Sequence, residues 1–143
     1  MAAWIRLVPL ACVIASACAG SRGPDAQQID ELVDECRRNP ARASKLRRSK
    51  SVGFRAHRRG GPRKVVMFGA PWCEPCDAAE LFLSRRGIPF EHKDIESSAL
   101  VKAEMNATLK DAGLESGGLP VLDIDGVVTR GFLPCVVDEA WAR

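Results

Sequence analysis

An apolar, β-like run ending in two cysteines two residues apart constrains this chain more than any other feature. Lys64-Val65-Val66-Met67-Phe68 is broken by Gly69 and Pro71 and closes on Trp72-Cys73-Glu74-Pro75-Cys76. A Val- and Phe-rich stretch stopped by glycine and proline predicts a buried strand feeding a turn. From Asp77 onward Ala78, Leu81 and Phe82 recur at helical spacing, which places Cys73 at or just before a helix N-terminus. Unpaired backbone N–H groups and the helix dipole favour an anion there and so favour a thiolate, the nucleophilic form of cysteine. Two residues further on, Cys76 can reach back within disulfide range, and such a pair beside a strand–helix–strand pattern points to reversible dithiol–disulfide chemistry.

Two other chemistries use the same spacing. Half of a zinc site has this form, but zinc needs four ligands, and the chain offers neither a second such pair nor a histidine pair: His57 and His92 lie far apart. No metal is therefore expected. An inert structural disulfide is the other alternative.

With 143 residues the chain has room for one domain and a shorter remainder. Residues 1–20 carry Arg6, an apolar stretch from Leu7 to Ala17 and then small residues, the pattern of a secretory signal. Ala15-Ser16-Ala17-Cys18 resembles the lipobox of bacterial lipoproteins, whose cysteine becomes the lipid-bearing N-terminus. Ala15 departs from the leucine usual there, so ordinary cleavage stands beside lipidation at Cys18. A buried N-terminal helix is the third reading. The expected location is the periplasm or, as a lipoprotein, the membrane surface, with a cytoplasmic protein as the alternative. Export leads to an oxidising compartment in which disulfides persist. Of the six cysteines, Cys36, Cys73, Cys76 and Cys135 then remain in the folded part, and Cys36 and Cys135 could pair as a structural bridge.

Residues 21–63 read as a polar and then strongly basic linker with one short helix, in which Ile29, Leu32, Val33 and Cys36 share a side and which Pro40 stops. Twelve Lys and Arg residues and no acid lie between Arg37 and Lys64, whereas Val65 to Arg143 holds seven basic and thirteen acidic residues. The net charge of +3 thus conceals a basic arm on an acidic domain. With few large apolar residues and with Gly53, Gly60, Gly61 and Pro62, the arm is expected to lack a core and to be a solvated linker that contacts an anionic membrane surface through residues 37–64. Nucleic acid is not expected as a partner, because only Phe54 interleaves the charges.

Beyond the first helix, Arg85-Arg86-Gly87 marks a helix end, and Ile88 to Ile95 predicts a second strand. Ser97 or Ser98 caps a helix running to about Ala112, which Gly113 ends. Gly117 to Arg130 predicts a β-hairpin with Asp125-Gly126 as its turn, and Leu133 to Ala142 has helical spacing. The fold class is α/β, in the order β-α-β-α-β-β-α, with a central four-stranded sheet in a three-layer arrangement.

On Trp72-Cys73-Glu74-Pro75-Cys76, on Gly118-Leu119-Pro120 and on Gly131-Phe132, in that order, residues 64–143 resemble a glutaredoxin-type member of the thioredoxin superfamily. The resemblance covers somewhat over half the chain. It implies a mixed four-stranded sheet flanked by helices. It also implies a cis peptide before Pro120 facing the cysteines, and a thiol–disulfide oxidoreductase in which Cys73 is the nucleophile and Cys76 the resolving sulfur. Trp72, Glu74, Pro75, Leu119 and Pro120 would then contact the substrate, with the Leu119 backbone offering β-style hydrogen bonds to an extended chain.

Partners so implied are disulfide-containing proteins or small thiols, met by a monomer, with no cofactor bound and glutathione as a candidate electron donor. Two departures leave that donor open. Gly69, Ala70 and Pro71 occupy the region of the usual glutathione-binding lysine, and Leu133, Pro134 and Cys135 replace the usual acidic pair. Glu74, between the two cysteines, is expected to disfavour the Cys73 thiolate and tilt the couple toward reductase work. His92 is expected as a solvated polar residue rather than a base. Cys135 is either a buried small residue or a third redox sulfur. A non-catalytic thioredoxin-fold module that binds a peptide or a metal carrier is the competing functional class.

Overall fold

Val65–Gly69, strand β2, is buried at every residue, and the rest of the molecule is arranged on its two sides. The computed structural model describes residues 25–57 and 60–143. In chain order these form α1 (Ala26–Arg38), α2 (Pro40–Arg47), β1 (Val52–Phe54), β2, α3 (Glu74–Arg85), β3 (Phe90–Asp94), α4 (Ala99–Asp111), β4 (Val121–Ile124), β5 (Val127–Arg130) and α5 (Pro134–Trp141). The expected signal segment and Cys18 lie outside the described residues, as do Arg58 and Arg59.

The sheet has five strands in the order β1-β5-β4-β2-β3. Strand β3 runs parallel to β2, with Met67 opposite His92 and Gly69 opposite Asp94. Strand β4 runs antiparallel to β2, and β5 returns antiparallel to β4 through the expected Asp125-Gly126 turn. Both turn residues have positive φ, 52° and 97°, the geometry that matches the twist of a tight hairpin. Alternation along β2 divides the core. Val65 and Met67 join Phe82, Leu83, Leu122, Ile124 and Val137 on the side of α1, α3 and α5, whereas Val66 and Phe68 meet Met105 and Leu109 of α4 on the other. This is a thioredoxin-like α/β fold.

Two expectations are corrected. The sheet has a fifth strand, β1, and residues 21–63 contain two helices and that strand where a linker with one helix was expected. Strand β1 adds antiparallel to the β5 edge, with Val52 opposite Thr129. Its glycine has a steric reason, since a Cβ on Gly53 would run into the Ala112 carbonyl oxygen. Helix α1 is fixed at its start by a capping box, in which Asp25 accepts from the Gln28 N–H and the Gln28 side chain accepts from the Asp25 N–H. Ile29 and Val33 enter the main core, and Cys36 joins Ala43, Leu46 and Cys135 in a small cluster of its own.

The charge asymmetry explains how a basic, apolar-poor stretch docks. Arg37 and Arg47 pair with Asp138 and Glu139 of α5, Arg63 with Asp125, and Lys64 with Glu91. Arg55 Nη1 reaches the Asp123 carboxylate at 2.7 Å, and that carboxylate is fully buried on β4. Surface pairs of this kind contribute little singly, but Arg55–Asp123 is desolvated and fixes the end of β1 to the sheet. The expected solvated arm is therefore partly a complement to the acidic domain. Among the described residues no helix is long and apolar enough to cross a membrane.

Candidate active site

The end of β2 delivers the chain to α3 through Ala70, Pro71 and Trp72, and Cys73 is the N-cap of α3. Pro75 occupies the first helical turn, where its missing N–H leaves no hydrogen bond unmade. Cys76 follows one residue later, its N–H donating to the Cys73 carbonyl at 2.9 Å. The two sulfurs form a disulfide with the Cα atoms 5.2 Å apart. Cys73 is only 3% exposed, against 1% for Cys76. The oxidised pair is thus largely shielded from solvent.

The neighbours of the pair along the chain are exposed. Trp72 is 68% exposed and its indole N–H donates to Glu96 at 2.8 Å, so the ring is held by its polar edge while its apolar face stays in solvent. Glu96 is itself placed by its N–H, which donates to the Asp94 carboxylate. Glu74 and Pro75 are also exposed. Glu74 and Asp77 put two carboxylates in the first turn of α3, a position at which negative charge suits the helix dipole but opposes a neighbouring thiolate.

Leu119–Pro120 is a cis peptide, as the resemblance implied. It follows Gly117 and Gly118, both at positive φ, which turn the chain into β4. Leu119 packs against the cluster that contains both cysteines, and the Pro120 carbonyl accepts from the Gly131 N–H at 2.7 Å. The structure therefore brings Cys73, Cys76 and Leu119 into one cluster, with Trp72, Glu74 and Pro75 on its solvent side. Residues 65–129 match the family model described as Glutaredoxin. The glutaredoxin-like match begins at β2 and ends within β5, leaving α1, α2, β1 and Cys135 outside it. No curated protein matches the chain. Among solved structures, a glutaredoxin from Archaeoglobus fulgidus is similar at 24% identity and a TM-score of 0.47, covering 56% of this chain and 87% of that one.

Two side chains near the glutaredoxin-like pair were not among the expected site residues. His92 on β3 is exposed, as expected, and its Nδ1 also lies 2.5 Å from the Glu80 carboxylate on α3. The helical offset of four between Cys76 and Glu80 was the available sequence signal, but only the β2–β3 pairing brings the imidazole to them. Cys135 is neither an isolated buried residue nor a free redox sulfur. It pairs with Cys36, Cα to Cα 5.4 Å, tying α1 to α5. Among the described residues no group of three or more His, Cys, Asp and Glu side chains is placed to hold a metal ion.

Proposed function

We propose that the protein is a thiol–disulfide oxidoreductase acting on protein or small-molecule disulfides, with Cys73 as nucleophile and Cys76 as resolving sulfur. The observation that carries this reading is the Cys73–Cys76 disulfide at the N-terminus of α3, in one cluster with the residue before a cis-proline. Thiolate at Cys73 attacks a substrate sulfur, forming a mixed disulfide and releasing the first thiolate. Cys76, as thiolate, then attacks Cys73, so that the second substrate thiolate leaves and two electrons have passed from the protein to the substrate. The exposed face of Trp72 and the Leu119–Pro120 backbone are the proposed substrate contacts, with Glu74 and Pro75 at the rim.

The direction of electron flow follows from the charges. Glu74 and Asp77 disfavour the Cys73 thiolate, which makes the disulfide less readily reduced and the dithiol the better reductant. Glutathione is the proposed donor, although the charge partners expected for it near Gly69 and Leu133 are missing. The reading includes export, by a signal in residues 1–20 with lipidation at Cys18 as a variant. A Cys36–Cys135 bridge is of the type that persists in oxidising compartments, which supports this. Anionic headgroup contact by a monomer stays in the proposal with a reduced set of cations, since Arg37, Arg42, Arg47, Arg55, Arg63 and Lys64 are engaged in ion pairs.

Insulin-disulfide reduction by the full chain, with dithiothreitol or glutathione as donor, tests the assignment. Turnover that survives Cys73→Ser would refute it. Turnover with dithiothreitol but not with glutathione would remove only the proposed donor.

A further inference from the structure

Above the last residue of β2 there is a space that only glycine leaves open. A Cβ on Gly69 would lie 2.7 Å from His92 Nε2 and 3.0 Å from Cys76 Sγ. The imidazole nitrogen and the resolving sulfur therefore border the same point, close enough for one water to bridge them. On the far side of the ring, Nδ1 lies 2.5 Å from Glu80 Oε1, and Glu80 stands one helical turn beyond Cys76 along α3. With Nδ1–H donating to the carboxylate, the lone pair of the neutral ring is on Nε2, the atom that faces the sulfur.

We infer that His92 is the base that takes the proton from Cys76 in the resolving step, with Glu80 as the residue that positions it. The inference rests on the proposed thiol-exchange reading and assigns a role in it that neither cysteine can fill. Cys76 is 1% exposed and sits at the third position of α3, where bulk water has little access to its proton, and a buried thiol in apolar surroundings is reluctant to ionise. Cys73 has no such need, being at the N-cap.

In the step itself the Cys76 S–H bond breaks, its proton passes to Nε2, and the electron pair left on sulfur forms the Cys76–Cys73 bond. The Cys73–substrate S–S bond breaks, and the substrate sulfur leaves with that bond's electron pair. The imidazolium then gives its proton to the departing thiolate or to solvent. The side chain of His92 is 32% exposed, which gives it that outlet.

Of the charged groups on this side of the sheet, Glu80 of α3 pairs with His92 and Asp94 lies two residues along β3, β2 contributes only uncharged residues, and Arg37, Arg85, Asp30, Arg86 and Asp138 of the covering helices pair among themselves. Glu91 and Lys93 alternate to the opposite face, where they meet Lys64 and Glu104.

A stopped-flow reaction with dithiobis(nitrobenzoate) of the full chain, reduced at Cys73–Cys76 with the Cys36–Cys135 bridge left oxidised and with Cys12→Ser and Cys18→Ser as background, separates the two halves of the chemistry. Attack by Cys73 releases one coloured thiolate, and resolution by Cys76 releases a second. Cys76→Ser, which retains only the first release, assigns the phases. His92→Gln is expected to leave the first phase within about twofold and to slow the second about 100-fold at neutral pH, the lower end of what a general base contributes. The gap should narrow as the solution is made more alkaline, because a rising share of Cys76 then ionises without a base. Glu80→Gln should slow the same phase by a smaller factor. A second phase in His92→Gln with the wild-type rate and pH profile would overturn the assignment. So would a parallel loss of both phases, which marks a structural disturbance. Absence of both phases in the wild-type protein would instead sink thiol exchange at Cys73, and absence of the second alone would sink resolution by Cys76; each takes the base assignment with it.

Discussion

The two disulfides of this molecule are buried to similar degrees, yet they occupy opposite extremes of chain separation. Cys73 and Cys76 are 3 residues apart within one helix start, whereas Cys36 and Cys135 are 99 apart and join α1 to α5. A cross-link restricts the unfolded chain more strongly the longer the loop it closes. The chain-entropy relation gives about 5 kcal/mol for the long loop and about 2 kcal/mol for the short one. The proposed bond cycling therefore falls where opening costs the fold little. The bond that costs most to lose is placed where an apolar-poor arm needs an anchor. The same contrast appears in the surroundings. The short pair lies at a helix N-terminus, while the long bridge sits against Ala43 and Leu46 between two helices.

The largest expected effect breaks the short pair. Cys73→Ser should lower disulfide-reduction turnover by a factor on the order of 10³ or more, while the urea midpoint falls only modestly. A collapse of stability matching the loss of turnover would erase the distinction between the two bonds. Replacing the long pair, as in the double variant Cys36→Ala with Cys135→Ala, should do the reverse. Unfolding free energy should fall by about 3–5 kcal/mol under oxidising conditions, with turnover within about twofold. Urea titrations followed by far-UV circular dichroism measure the first quantity, and unchanged stability would mean that α1 and α2 are held by packing and charge alone.

Arg55→Leu probes the same arm without touching a sulfur. It removes one charged partner of the buried Asp123 carboxylate, which still accepts from the Gly126 N–H, and should cost about 2 kcal/mol, the range for a hydrogen bond to a charged group. A cost below about 1 kcal/mol would show that β1 docks through its backbone ladder alone. The smallest effect is expected at Lys64, whose ammonium hydrogen-bonds Glu91 and holds that carboxyl below its usual range. A carboxyl lowered in the folded state stabilises the fold above its unfolded pKa, and this contribution is lost as pH falls through the folded value. Because the pair is exposed, Lys64→Gln should cost a few tenths of a kcal/mol at neutral pH and nothing in stronger acid. A difference between wild type and variant that grows with acidity would contradict the pairing.

The fold from β2 onward was legible because its signals are local. Val65 to Phe68 announces a strand, Ser98 caps α4, and Asp125-Gly126 admits the positive φ of a hairpin. Strand β1 was not legible. Three residues containing a glycine, set among cations, carry no strand pattern of their own. Val52-Gly53-Phe54 becomes a strand only because the β5 edge offers it a ladder and the Ala112 carbonyl admits no Cβ at its centre. At the site, the cysteines were readable from their spacing, while His92 was not. A histidine on a strand gives no hint of which helix covers it.

The chain by itself determined the two-cysteine motif, the alternation that buries β2, the turn residues and the separation of charge into a basic arm and an acidic domain. All of these are written in neighbouring residues, and local sterics, helix capping and hydrophobic periodicity act over a few positions. Only the folded molecule decided that the arm closes onto the sheet, that Cys36 finds Cys135, and that Glu80, His92 and Cys76 share one side of it. Those meetings depend on which strands pair and which helices cover them, and pairings between distant segments are set by how the whole core packs.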